Sequence, residues 1–140
     1  MLHISGIAKR FGGREVLNTV TLRVEPGEYV AILGESGIGK STLLNIIAGL
    51  EPADSGTVSF LDTDITALGD DARTLLRREH FGFVFQAFHV LPHLTVEQNV
   101  GLPLLLRGID KKDINRKARH SISSVGLGGR ELSMPRELSG

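Results

Sequence analysis

Across residues 19–24 apolar and polar side chains alternate. Val20, Leu22 and Val24 fall on one face and Thr19, Thr21 and Arg23 on the other, the period-two signature of an antiparallel strand with one solvated side. Residues 2–7 and 56–60 are its candidate partners. Residues 29–33 read differently. Tyr-Val-Ala-Ile-Leu is apolar without interruption and follows the turn pair Pro26-Gly27, which predicts a strand buried on both faces inside an α/β sheet. A second buried strand is predicted over residues 81–85.

After Ser41 the run Thr-Leu-Leu-Asn-Ile-Ile-Ala is apolar almost all round and closes at Gly49, with Pro52 beyond. A short, well-buried helix should therefore follow a glycine-rich turn directly. Residues 70–80 predict a charged surface helix. Pro92 breaks the chain, and Thr95 can then cap a helix through Leu106 that is kinked or interrupted at Pro103. Asp110 can cap another, in which Ile114, Ala118 and Ile122 recur every four residues on one face. Lys111, Lys112, Arg116, Lys117 and Arg119 lie elsewhere on it and read as a solvated face.

The chain has 140 residues, of which 41% are hydrophobic, enough for one globular domain or part of a larger one. Sixteen basic and sixteen acidic residues give zero net charge, so no long-range field draws it to nucleic acid or to an anionic membrane. Any anion must be caught locally, and no nucleic-acid partner is expected. The absence of cysteine excludes disulfides and thiolate metal sites and fits a reducing compartment. The amino terminus has no apolar core of signal-peptide length, and the apolar stretch at residues 100–106 is interrupted by Gly101 and Pro103, so no membrane span is predicted.

Between the buried strand and the buried helix lies Gly34-Glu35-Ser36-Gly37-Ile38-Gly39-Lys40-Ser41. It satisfies the phosphate-loop pattern in the strand-turn-helix setting that pattern needs. Glycines let the backbone wind so that successive N–H groups converge on phosphate oxygens, and the helix adds the positive end of its dipole. Lys40 can neutralise the terminal phosphates, and the Ser41 hydroxyl can ligate magnesium. The bland alternative is a glycine-rich connection. Against it stands Lys40 in the first helical turn, where a cation opposes the dipole unless an anion is bound.

Taken in order, GESGIGKSTLLNIIAGLEPADSG, FGFVFQ, LPHLTVEQNV and the terminal LSG resemble the ATP-binding subunit of ABC transporters over the whole chain. The wording of LPHLTVEQNV is most similar to the lipoprotein-releasing and macrolide-exporting branch. The resemblance implies a P-loop NTPase α/β fold of which this is the amino-terminal part. It comprises an antiparallel β subdomain and a partial parallel core over about residues 1–86, then a helical subdomain over about 87–140. It implies ATP and Mg2+ as cofactors, with ATP binding and hydrolysis coupled to export or membrane extraction through a separate permease. It also implies a homodimer of ATPase subunits and a peripheral position on the cytoplasmic face of the inner membrane.

The same resemblance assigns roles. Phe11 matches the aromatic that stacks on adenine, usually Tyr, although an ordinary apolar plug is the alternative. Thr42 matches a hydroxyl that helps hold the α-phosphate, and Ile38 replaces the small residue common in that loop position. Gln86 matches the residue that touches magnesium and the attacking water. The region from Gln86 to Leu106 matches the surface that receives the permease, with a core assignment of Leu91 and Leu94 equally open. Ser139 and Gly140 match letters of the LSGGQ signature, inside which the chain stops.

Two motifs are decoys. Residues 58–62, Val-Ser-Phe-Leu-Asp, mimic a Walker B strand, but Ser59 breaks the run, no Glu follows Asp62, and the segment precedes Gln86. His89 and His93 are separated by Pro92, which prevents a regular helix from presenting both as metal ligands. The family's Walker B Asp, catalytic Glu and switch His have no counterpart in the chain, so binding without turnover is the competing function, and low stability with aggregation is expected. A chromosome-maintenance relative is disfavoured because no sustained heptad separates Gln86 from Leu138. A translation-factor relative with two cassettes stays open.

Overall fold

The alternation around Thr19 builds a hairpin. Strands β1 (Leu2–Phe11) and β2 (Arg14–Val24) pair antiparallel, with Phe11 opposite Arg14 across Gly12 and Gly13. Both glycines have positive φ, 54° and 85°, as a type I′ turn requires to match the twist of its strands. The computed structural model describes residues 1–85 and 89–138.

The ladder slips where strict alternation would fail. Ile4 faces Leu22 but Ile7 faces Val20, which leaves an extra residue on β1; Lys9 then faces Leu17, which leaves one on β2. Gly6 and Thr19 take positive φ, 62° and 51°, at these bulges. Ile4 and Ile7, three apart, consequently both lie fully buried, and Leu17 is buried at 7% exposure. The expected inward face of Val20, Leu22 and Val24 is half-buried and its opposite face exposed, as read from the sequence.

Strand β3 (Ser55–Phe60) pairs with the other edge of β1, and β4 (Thr63–Asp64) with β3, in the order β2-β1-β3-β4. All pairings are antiparallel. Helix α1 (Lys40–Ile47) contributes Leu43, Ile46 and Ile47 to one core with Ile4, Ile7, Leu17, Val58 and Ile65. Helix α2 (Asp70–His80) buries no residue completely and is held in part by Arg77, which donates to the Gly49 carbonyl at 2.8 Å.

Both predicted buried strands are corrected by the structure. Residues 29–33 form no strand, and Tyr29 and Leu33 are 93% and 89% exposed. Residues 81–85 form none either: Phe81 packs on Phe60 with ring centroids 5.4 Å apart, while Val84 is fully exposed. Apolarity on both faces records what a segment must bury. A strand exists only through ladder bonds to neighbours, and among the described residues no strand pairs with either run.

The chain divides into two compact units, Met1–Phe83 and Val84–Gly140. In the second, α3 (Val96–Leu106) opens with a reciprocal cap: Thr95 Oγ1 accepts from Gln98 N–H and Gln98 Oε1 accepts from Thr95 N–H. Its remaining amino-terminal donors are used as well, Val96 N–H on the Ser133 carbonyl and Glu97 N–H on that of Glu131. The helix continues through Pro103. Helix α4 (Lys111–Ser124), capped by Asp110, buries Ile114, Ala118 and Ile122, as their spacing predicts. Arg119 of α4 meets Glu97 of α3 at 2.7 Å.

Candidate functional site

The glycine-rich turn ends in a helix that lacks a cap of its own. Gly39 is the N-cap of α1 with φ 105°; no side chain caps the helix, and its first turn carries no acidic residue. The first N–H groups are therefore open to an external acceptor. Gly34 and Gly37 also take positive φ, 154° and 81°, and the residues from Gly34 to Ile38 are exposed. Ile38 lies beside Gly34, where a Cβ would meet its Cγ2 at 3.1 Å. Ile38 is itself 58% exposed.

Lys40 folds back over the turn. Its Nζ donates to the carbonyls of Gly34 at 2.7 Å and Glu35 at 2.6 Å. Among the described residues it forms no ion pair, so a half-buried ammonium stands at the positive end of a helix with only carbonyls to balance it. That arrangement suits a polyanion. Ser41, exposed, and Thr42, half-buried, begin the same helix and carry hydroxyls, groups able to ligate magnesium or donate to a phosphate oxygen.

Gly39 fixes the loop to the sheet. A Cβ on it would lie 2.9 Å from Val16 Cγ1, 2.9 Å from the Val16 carbonyl oxygen and 3.0 Å from Leu17 Cδ2. Phe11, at the end of β1, is 47% exposed, so part of its ring meets solvent. Lys9 Nζ lies 5.0 Å from the centre of that ring. Lys9 itself is only 6% exposed; it meets Glu51 at 2.7 Å and Asp54 at 3.6 Å and donates to the Pro52 carbonyl at 2.7 Å. The hydrogen bond to Glu51 raises its pKa against the opposing pull of burial, and the charges of Glu51 and Asp54 add to the rise.

Phe11 and the residues from Gly34 to Thr42 thus belong to one unit, Met1–Phe83. Gln86, Ser139 and Gly140 lie outside the described residues. Leu91 is 47% exposed and Leu94 half-buried. Asp62 follows Leu61, which has φ 53°, in the turn between antiparallel β3 and β4, so the apparent Walker B sequence is a hairpin. Pro92 and His93 form a turn, and His89 and His93 share no helix.

Sequence reasoning missed two residues. Lys9 shares a strand face with Ile7 and Phe11, and a lysine on a buried face was the available signal. Asn99 Nδ2 donates to the carbonyls of Leu91, Leu94 and Thr95 at 3.0, 3.0 and 3.1 Å, and its Oδ1 accepts from Leu91 N–H at 2.8 Å. It holds the 91–95 turn against the start of α3; an Asn inside a helix carries no pattern that foretells this.

A wound turn of glycine amides, closed by a lysine and leading into a helix, defines the P-loop class of phosphate-binding α/β proteins. The sequence profile of the family described as "ABC transporter" matches residues 17–140. The chain is 48% identical over 126 residues to the macrolide export ATP-binding/permease protein MacB of Shigella flexneri, a match that covers 90% of this chain and 19% of the relative. It is 40% identical over 145 residues to the pyoverdine export ATP-binding/permease protein PvdT of Pseudomonas aeruginosa, covering 100% of this chain and 22% of the relative. A solved dimer of the ATP-binding cassette MJ0796, in a post-hydrolysis state with ADP and Pi, superposes with a TM-score of 0.89 at 34% identity over 99% of this chain and 63% of that one. The chain belongs to the ABC transporter family, and its fold is the amino-terminal part of an ABC ATPase cassette. It spans about a fifth of the length of the curated relatives it matches, 19% and 22% in these two cases.

Proposed function

We propose that this chain supplies the nucleotide-gripping part of an ABC export ATPase, binding MgATP and coupling its binding and hydrolysis to export or membrane extraction through a permease. The observation that carries the reading is Lys40, folded over the Gly34 and Glu35 carbonyls at the uncapped start of α1. The amides from Gly34 to Gly39 hold the phosphates, Lys40 neutralises the terminal ones, and Thr42 holds the α-phosphate. Ser41, with Gln86, is the magnesium ligand, and the bound ion would neutralise charge between the terminal phosphates. Phe11 stacks on adenine.

Permease coupling runs through the segment from Gln86 to Leu106. The names of MacB and PvdT, which join ATP-binding and permease functions, support that partner. The dimeric MJ0796 cassette supports pairing of two such domains, in which Ser139 and Gly140 approach the partner's nucleotide. No helix among the described residues is long and apolar enough to cross a membrane, and attachment to the cytoplasmic face of the inner membrane follows from the permease. Calorimetric titration with MgATP tests the reading: saturable binding lost in Lys40→Ala supports it, and absence of binding to a folded chain overturns it.

A further inference from the structure

Lys9 has no place in the assignments above, yet it is the buried charged residue among those described. Ile7, Lys9 and Phe11 alternate along β1 and so share its inner face. The Ile7 side chain enters the core, the Lys9 stem follows it, and the Phe11 ring extends the row to the hairpin tip. At the far side Lys9 is gripped by the residues that follow α1: Glu51, the Pro52 carbonyl and Asp54. The Arg10 and Asp54 N–H groups reinforce that junction, donating to Asp54 Oδ2 at 2.7 Å and to the Ala8 carbonyl at 3.0 Å. Lys9 is also the register partner of Leu17, the residue against which Gly39 of the phosphate loop packs.

From this geometry we infer that Lys9 is a positioning residue for the base of the nucleotide, holding the Phe11 ring from its protein side at a fixed distance from the phosphate loop. Because the ammonium is nearly excluded from water while the ring is 47% exposed, the cation occupies the inner face and the outer face is left to stack. An aromatic at a hairpin tip otherwise samples several rotamers, and stacking on it must overcome that ordering entropy. A cation anchored by carboxylates on the segment after α1 holds the ring through its quadrupole and ties the adenine end of the site to the phosphate end. The inference rests on the reading of Phe11 as the adenine platform.

The test compares MgATP with magnesium tripolyphosphate, which has the phosphates and no base, in calorimetric titrations of the full chain and of Lys9→Met, Phe11→Ala and the double variant. Glu51 and Asp54 side chains are 33% and 46% exposed, so water can solvate them once the ammonium is gone. Lys9→Met should weaken MgATP by about two- to fivefold, leave tripolyphosphate unchanged, and add nothing in the Phe11→Ala background. Equal weakening of both ligands would make Lys9 plain scaffold and overturn the inference. So would an unchanged MgATP affinity in Lys9→Met beside a weakened one in Phe11→Ala, which leaves the platform reading standing. If Phe11→Ala also leaves MgATP unchanged, the platform reading fails with it. Should Lys9→Met not fold, Glu51→Gln, which loosens the ammonium without removing it, should shift the ligand ratio in the same direction; an unaltered ratio there refutes the role.

Discussion

Gly39 and Val16 touch main chain to main chain: a Cβ at Gly39 would lie 2.9 Å from the Val16 carbonyl oxygen. The phosphate loop is thereby seated on β2, and the close approach together with φ 105° restricts the position to glycine. Gly39→Ala should cost about 1–3 kcal/mol and lift the loop from the hairpin. Urea denaturation should show the lower midpoint, and calorimetry a loss of MgATP affinity larger than that for Gly37→Ala, whose Cβ would meet no atom within 4 Å. Equal effects at the two glycines would contradict the seating argument.

Removing the ammonium tests the loop's charge balance. Lys40→Ala deletes donors to Gly34 and Glu35 and the cation that faces the phosphates, so nucleotide affinity should fall by at least about tenfold, as for loss of a charge-assisted hydrogen bond. The fold should persist, since Lys40 lies outside the core. Far-ultraviolet circular dichroism alongside the titration separates the two effects.

Gly101 of α3 faces a contest between propensity and packing. Alanine there would gain about 1 kcal/mol of helix propensity, but its Cβ would stand 2.7 Å from Ile114 Cγ2 on α4, and overpacking costs about 1–3 kcal/mol. We expect net destabilisation in Gly101→Ala. Ile114→Ala is itself costly, since it empties a buried site, but Gly101→Ala should cost less in that background, where the clash is gone; a double-mutant cycle with no coupling between the two sites would refute the contact.

The turn before α3 depends on two side chains. Thr95→Ala breaks the reciprocal cap with Gln98 and should cost about 1 kcal/mol. Asn99→Ala removes the side-chain donor shared by the Leu91, Leu94 and Thr95 carbonyls and the acceptor of the Leu91 N–H, while the Leu91 and Thr95 carbonyls keep their backbone donors. Hydrogen exchange should therefore accelerate at the Leu91 amide more in Asn99→Ala than in Thr95→Ala; the reverse order would sink this assignment.

Acid and alkali should probe different junctions. Glu131 has its pKa lowered below 4.5, first by the hydrogen bond from its own backbone N–H, then by that from Gly129, with the charge of Arg119 helping against desolvation. Its contribution is present above 4.5 and is lost as pH falls through the lower folded value. Glu131→Gln should therefore destabilise at neutral pH, and its effect should fade as the pH falls below 4.5 and through the lower folded value. Lys9 is the opposite case: with its pKa raised above 10.5, its contribution is full below 10.5 and disappears as pH climbs through the folded value. Denaturant midpoints across pH for each variant and the parent chain check both signs.

Local chemistry made much of the fold legible. Helix α4 follows from Asp110 and from the spacing of Ile114, Ala118 and Ile122; α1 and the glycine turn follow from an apolar run behind a phosphate-loop motif. The alternation over residues 19–24 matches the half-buried Val20, Leu22 and Val24 of β2, whereas alternation does not foretell the bulges that bury both Ile4 and Ile7, because one extra residue reverses the face of all that follow. The runs at 29–33 and 81–85 have the apolar content of buried strands, and the first also follows the turn pair Pro26-Gly27, yet neither forms one. A ladder needs a partner, and composition names none.

By itself, then, the sequence determined what was local: where amides could wind around an anion and where helices begin. Tertiary structure decided what depends on distant segments meeting. It set Gly39 on Val16, Lys9 between Glu51 and the Phe11 ring, and Gly101 against Ile114. Backbone torsions and hydrophobic period are encoded residue by residue, whereas a contact across forty positions exists only once the chain has closed on itself.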